Sequence, residues 1–349
     1  MCIRDSYNTF LVSLITVLLA TSYKQVNRLI FLFSILTLIA ILKGFCQKFI
    51  GFDAIEYNAM MESGMYKTHL LPQITRYFSI FTDAGNYGSN MGFACVVFGI
   101  TGLFTKKFSL KVYYICISVL SLYSMFITGT RGAIVVPLGG LLLFALISKN
   151  IKLMSITTIV GVCIYVFFAF TYVGESNYMI RRMRTAFRPN KDASYLVRKR
   201  NQQRLAEYLK YKPFGEGLGL GGVEARRFGN RLTTNIPNDS TYVKIWTETG
   251  IVGILLYLLI YAGSLLWGCY YIMFKVRNKE LRHLLTALAC GIFGMMISAY
   301  GNAFFTQFPT GAMIIMFLAI LINGKYIDER LTIEKQQALL TATKKDSTI

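Results

Sequence analysis

The chain has 349 residues, 54% hydrophobic and 15% charged, with a net charge of +20 and a mean hydropathy of +0.48. Soluble domains carry about a quarter charged residues, so this composition excludes one and points to an integral membrane protein. The apolar runs suit helices of about 20 residues, and the ten-residue alternation of a transmembrane barrel is missing. The expected class is an all-α polytopic membrane protein.

The opening MCIRDS (1–6) resembles an adapter from library preparation and is set aside as a sequencing or cloning scar. On that reading, one or more spans precede residue 7. Nine spans are predicted, at 7–22, 29–46, 86–104, 110–128, 133–148, 153–173, 250–272, 284–301 and 308–324. Lysine and arginine in the short connections orient them. TSYKQVNR (21–28), FTKKFSLK (104–111), SKNIK (148–152) and FKVRNKELRH (274–283) are basic. In contrast, residues 47–85 hold three basic against four acidic residues, and GNAFFTQ (301–307) holds no charge. The two sets alternate, which places the tail at 325–349 in the cytoplasm. The chain then divides into an N-terminal bundle (7–173), a long outward loop (174–249), C-terminal spans (250–324) and that tail. Apart from Cys2, the cysteines lie in or beside apolar runs and read as small hydrophobes. With His69 and His283 as the only histidines and no CxxC, no metal site is expected.

At the mouth of the third span, RYFSIFTDAGNYGSN (76–90) gathers Arg76, Asp83 and Asn86. The plain reading is a helix N-cap from Asp83 or Asn86, and substrate contact is compatible with it. TGTRGA (128–133) then holds Arg131 in a turn too short to lift it far from the membrane. An arginine at mid-bilayer costs about 2.5–3.5 kcal/mol on insertion scales, so such residues are usually paired or functional.

The outward loop carries fifteen basic against seven acidic residues. Long loops translocate largely regardless of charge, so the orientation stands. Anionic lipid headgroups or a phosphorylated substrate suit this charge better than nucleic acid. Within the loop, 193–215 reads as one helix stopped by Pro213 and Gly215, with Arg198, Gln202, Leu205 and Leu209 on one face. GEGLGLGG (215–222) lacks the strand that would make it a dinucleotide fingerprint and reads as a turn. In NIPNDSTYVKIWTETGIVG (235–253), Asp239 precedes a rising helix with Ser240 and Thr241 as further cap candidates. Lys244 and Glu248 are spaced to pair along one face.

Taken in order, these segments resemble the O-antigen ligase/polymerase family of bacterial envelope glycosyltransferases. RYFSIFTDAGNYGS looks like the family's R-x-x-x-x-F-x-D/N-x-x-N mouth of a span, and TGTRGA like its arginine turn. SYLVR…YLKYKPFGEGLGLGG looks like its arginine helix and glycine series, and PNDSTYVKIWTETGIVGILLYL like its polar signature ending in E-x-G-I-x-G. One departure stands at Asp239-Ser240-Thr241-Tyr242-Val243, where the family often has histidine in H-N-x-Y-L.

The resemblance implies an inner-membrane enzyme working on the periplasmic face. Its donor would be a polyprenyl-pyrophosphate-linked glycan and its acceptor a hydroxyl of a second glycan, with membrane lipids around it and no nucleic acid. Arg131 and Arg198, with Arg76 as a weaker third, would stabilise the departing pyrophosphate. Asp239 would be the base, with Glu248 in reserve, and Asp83, Asn86 and Tyr242 would contact substrate. Neither metal nor organic cofactor is expected. The departure at Asp239 favours a polymerase of repeat units over a ligase that passes polymer to lipid A-core or protein. A lipid-linked glycan transporter is the alternative from another class, but it predicts internal repeats and mid-membrane charges.

Overall fold

The computed structural model describes residues 3–72, 74–148, 151–187 and 193–346. In chain order the elements are α1 Ile3–Leu19, α2 Tyr23–Phe49, α3 Ala54–Ser63, α4 Tyr66–His69, a short antiparallel pair β1 Leu70–Leu71 and β2 Ile74–Thr75, α5 Ala84–Phe104 and α6 Phe108–Ile127. There follow a 3-10 turn Arg131–Ile134 that runs into α7 Val135–Ile147, then α8 Ile151–Phe170, α9 Tyr178–Arg184 and α10 Ala193–Leu209. The chain continues through α11 Leu232–Asn235, α12 Thr241–Phe274, α13 Lys279–Ser298 and α14 Thr310–Asp346. The all-α membrane class expected from composition is what the chain adopts. Each predicted span falls on a helix, yet among the described residues seven helices are long and apolar enough to cross a membrane. The two that fall short are α1 and α7, at 17 and 13 residues. Of the segment set aside at 1–6, Met1 and Cys2 lie outside the described residues, while Ile3 onwards is helical.

Helices α5 and α13 form the centre, each with 72% of its apolar window buried, whereas α8 at the rim has 11%. Small residues allow the central crossings. A Cβ on Gly294 would collide with the Val136 backbone, and one on Gly140 would lie 3.2 Å from the Cys290 carbonyl. Helices α7 and α13 therefore meet backbone to backbone, which is how apolar helices gain contact when lipid competes for their side chains. Phe93 of α5 stacks on Phe317 of α14 at 5.4 Å, and Phe33 of α2 meets the same ring edge-on at 5.1 Å. Among the described residues the six cysteines are free, and Cys269 and Cys290 are buried in the helix bundle.

The connections sort to two ends. At one, the Asp328 carboxylate accepts from the backbone of Arg277 and Asn278, both at 3.0 Å, Lys106 pairs with Glu280 at 2.8 Å, and Asn323 donates to the Ala20 carbonyl at 2.9 Å. These are the connections whose lysines and arginines set the expected orientation. The other end is built from 50–72, 74–83, 128–134, 171–187, 193–240 and 299–309, and it holds Arg76, Asp83, Arg131, Arg198 and Asp239.

Candidate functional site

The turn after α6 gathers three arginines. Gly129 takes a left-handed φ of +60°, which turns its carbonyl outward to accept from Arg182 Nε at 2.8 Å. Arg76 donates from Nη2 to Thr130 Oγ1 at 2.9 Å and from Nε to the Thr128 carbonyl at 3.3 Å. Arg131 donates from Nη1 to Thr185 Oγ1 at 3.0 Å, which ties the 3-10 turn to the end of α9. Burial, then the charges of Arg182 and Arg131, push Arg76 down to about 10, with Asp83 opposing. It stays cationic at neutral pH. Arg182 was not singled out from sequence, because nothing in YMIRRMR marks which arginine turns inward.

Beside Arg76, Asp83 does what the cap reading expects. Its Oδ1 accepts from Gly85 N at 2.6 Å and Asn86 N at 2.9 Å. His69 helps, since its Nε2 accepts from Ala84 N at 3.1 Å. Burial, then Arg76, lowers the His69 pKa below its ordinary 6.5, so the ring is neutral as this bond requires. Asn86 is 1% exposed, and its side chain bonds Thr82, Asn90 and Thr310. It ties α5 to α14. Tyr242 donates to the Met296 carbonyl at 2.6 Å and so fastens α12 to α13.

The second half of the site forms around the turn after α13. Thr241 donates from its backbone to the carbonyls of Ala299 at 3.0 Å and Asn302 at 3.2 Å, and from Oγ1 to Asn302 again at 3.0 Å. Ser298 Oγ donates to the Gly132 carbonyl at 2.9 Å. The Asn302 amide fills the gap between two glycines. A Cβ on Gly85 would lie 3.1 Å from its Oδ1, and one on Gly132 would lie 2.7 Å from its Nδ2. Asn302 thus touches the N-cap of α5, the turn carrying Arg131 and the foot of α12. Sequence reading missed it, because GNAFFTQ registers only as an uncharged connection.

Across this turn, Arg198 of α10 lies against Gly301, with Nη1 3.8 Å from where a Cβ would stand. Its Nε is 3.5 Å from Asp239 Oδ2. The predicted helical face is correct: Leu205 and Leu209 are buried, and Arg198 points to the foot of α12. Ser240 is the N-cap of α12, accepting from Val243 N at 3.5 Å.

α12 is broken at Gly250, where φ is +67°, and the turn after α10 is stitched into the break. Glu216 N donates to the Thr247 carbonyl at 3.0 Å, Gly217 N to the Glu248 carbonyl at 2.9 Å, and Val252 N to the Pro213 carbonyl at 3.2 Å. A helix break in an apolar setting must satisfy its freed backbone groups within the protein, and the PFGEG segment does so. This corrects one expectation. Lys244 and Glu248 form no ion pair among the described residues. Glu248 instead turns inward against Gly221, 7% exposed, with Oε1 lacking a hydrogen-bond partner.

Some of the loop's positive charge is used internally. Arg231 pairs with Glu216 at 3.2 Å, Lys212 also pairs with Glu216, and Arg226 donates to the Thr234 carbonyl at 3.1 Å. The arginines at the Gly129 turn donate to that turn and to Thr185, and Arg198 lies at the foot of α12 beside Asp239. Among the described residues, no group of three or more His, Cys, Asp or Glu side chains gathers at metal-binding spacing.

The family model described as O-antigen ligase matches residues 116–258. This segment is of the O-antigen ligase/polymerase family. It includes Arg131, Arg182, Arg198, Asp239 and Glu248, whereas Arg76, Asp83, Asn86 and Asn302 lie outside it yet border the same mouth. Neither the curated proteins nor the solved structures gave a match. The match and the seven apolar helices support a multi-pass membrane protein of polysaccharide biosynthesis, and the family implies in general terms a glycan substrate on a lipid-linked carrier.

Proposed function

We propose that the protein is a polymerase of surface-polysaccharide repeat units in the bacterial inner membrane, acting at its periplasmic face. The donor is a glycan on a polyprenyl pyrophosphate and the acceptor is a hydroxyl of a second glycan. The observation that carries this reading is the convergence of Arg76, Arg131 and Arg182 on one turn, with Arg198 and Asp239 across the Gly301–Asn302 turn. Among the described residues Asp83 is the carboxylate that opposes the shift of Arg76, and its Oδ1 accepts from two capping amides.

In the proposed step, an acceptor hydroxyl oxygen attacks the anomeric carbon of the donor. The bond from that carbon to the phosphate oxygen breaks, and its electron pair leaves on the pyrophosphate. Arginine forks suit that growing negative charge through charge-assisted, bidentate hydrogen bonds. The hydroxyl proton passes to the Asp239 carboxylate. Since arginines supply the positive charge, turnover is expected to survive chelation. Loss of turnover restored by Mg²⁺ or Mn²⁺ would count against this assignment.

The family description favours transfer of finished polymer as a second reading, while aspartate in place of histidine at 239 favours polymerisation. Deleting the gene in its source strain separates them. Single repeats that still reach their final acceptor mean polymerase; long chains stranded on the lipid carrier mean ligase. Repeats trapped on the cytoplasmic side sink both and leave a transporter. Complementation by Arg131→Ala or Arg198→Ala at native protein level would remove the pyrophosphate clamp.

A further inference from the structure

Beside Asp239, on the side away from Arg198, lies a polar cavity of about 340 Å³, lined among others by Asn238, Lys244, Thr306, Gln307, Glu224 and Asp239 itself. Small-molecule pockets run from about 300 Å³ upward. Two of the residues that line it carry side-chain atoms buried without a hydrogen-bond partner: Asn238, at Oδ1 and Nδ2, and Thr306, at Oγ1. Buried polar groups left in this condition are costly and call for an explanation. Here both residues belong to the wall of one cavity, Asn238 from the chain before α12 and Thr306 from the chain after α13.

The last two glycines of GEGLGLGG explain how Asn238 is held. A Cβ on Gly221 would approach Asn238 Nδ2 to 3.0 Å, and one on Gly222 to 2.9 Å. Gly222 also has φ at +84°, a conformation side chains rarely adopt. Bare backbone therefore packs directly against the Asn238 amide. Gln307, on the opposite wall, accepts from Thr82 at 2.7 Å, which ties the cavity to the Asp83 cap.

The lining selects a chemistry. A phosphate would meet two carboxylates, Glu224 and Asp239, against one ammonium, Lys244. A lipid tail would find polar walls. A polyhydroxylated ring, whose vicinal hydroxyls both donate and accept, matches an amide that offers a donor and an acceptor side by side. We propose that this cavity is the subsite for the acceptor sugar ring, and that Asn238 determines which ring is accepted. Asn238 and Asp239 are consecutive, so a ring held by the amide presents a hydroxyl to the neighbouring carboxylate. This rests on the transfer reading for its role, but sugar binding is a separate property.

The test uses the full chain in lipid nanodiscs, without donor. Saturation-transfer NMR is run against methyl glycosides of a neutral hexose and of an N-acetylhexosamine. At least one glycoside should bind, and Asn238→Ala should weaken it about tenfold, the effect of losing hydrogen bonds in a desolvated site. Thr306→Val, which keeps the side-chain shape, should weaken it in the same direction, so the result does not hang on the folding of one variant. Lys106→Gln, at the opposite end of the bundle, should leave glycoside binding unchanged. Equal binding in wild type and both cavity variants, or no binding by either glycoside to wild type, overturns the subsite. In membranes supplied with lipid-linked glycan, Asn238→Ala should raise the acceptor concentration for half-maximal rate without changing that for donor. Asn238-dependent glycoside binding in a protein whose deletion leaves cellular glycans unaltered would keep the subsite and sink the transfer reading. Intact transfer with unchanged acceptor saturation in Asn238→Ala would do the reverse.

Discussion

The Arg198 guanidinium on α10 lies 3.5 Å from the Asp239 carboxylate at the foot of α12, with the two side chains 35% and 53% exposed. At that length and exposure the pair is worth at most about 1 kcal/mol, so it places two charges side by side without locking them together. Arginine and aspartate can then turn to different substrate groups at little cost. Asp239→Asn keeps shape and removes the base. It is expected to lower turnover about 10²-fold or more at saturating acceptor, measured on purified protein at matched levels. Full turnover would reject Asp239 as the base.

Gly132→Ala tests whether Asn302 organises the site. The new methyl carbon would stand 2.7 Å from Asn302 Nδ2, forcing the amide off the Arg131 turn and against Gly85. A shift of about 1 Å in positioning groups costs roughly 10²-fold in rate. Activity should fall by that order while expression and thermal midpoint hold. A fully active variant would show that Asn302 only fills space.

Gly250→Ala is expected to fail in a different way. The left-handed backbone at this position costs about 1–3 kcal/mol for a residue with a side chain. In addition, its Cβ would overlap the Pro213 carbonyl that accepts from Val252. The variant should lose thermal stability in detergent before any change in substrate saturation can be measured. A thermal midpoint equal to wild type would mean that the stitch between PFGEG and α12 carries no weight.

His69 gives a pH signature. Burial and the nearby Arg76 hold its folded pKa below the ordinary 6.5, so between that folded value and 6.5 the unfolded chain binds a proton that the folded chain does not. The His69 contribution is complete above pH 6.5 and declines as pH falls through the window beneath it. Thermal midpoints should drop over that window in wild type and less steeply in His69→Gln. Parallel curves would exclude His69 as the titrating group.

Much of the site was legible one residue at a time. Asp83 as a cap, Ser240 as a cap and the face shared by Arg198 and Leu205 follow from local rules of helix starts and 3.6-residue periodicity. Arg182, Asn302 and Asn238 were not legible. Each does its work through a partner remote in sequence: Arg182 through the Gly129 carbonyl, Asn302 through Gly85 and Gly132, and Asn238 through Gly221 and Gly222. An asparagine in a short uncharged connection has no local signature. The expected Lys244–Glu248 pair failed for the same reason, because its spacing is right but packing against Gly221 takes the carboxylate inward.

The sequence by itself determined the helices and which connections share an end, because apolar length and the placement of lysine and arginine are properties of single segments in a bilayer. It also supplied the four motifs that led to the family. Only the tertiary structure decided which cations gather, that α12 breaks at Gly250 and is mended by PFGEG, and that a polar cavity opens beside Asp239. Those outcomes depend on close approaches between helices remote in the chain, where a missing Cβ or a single unpaired amide fixes the geometry and no local pattern records it.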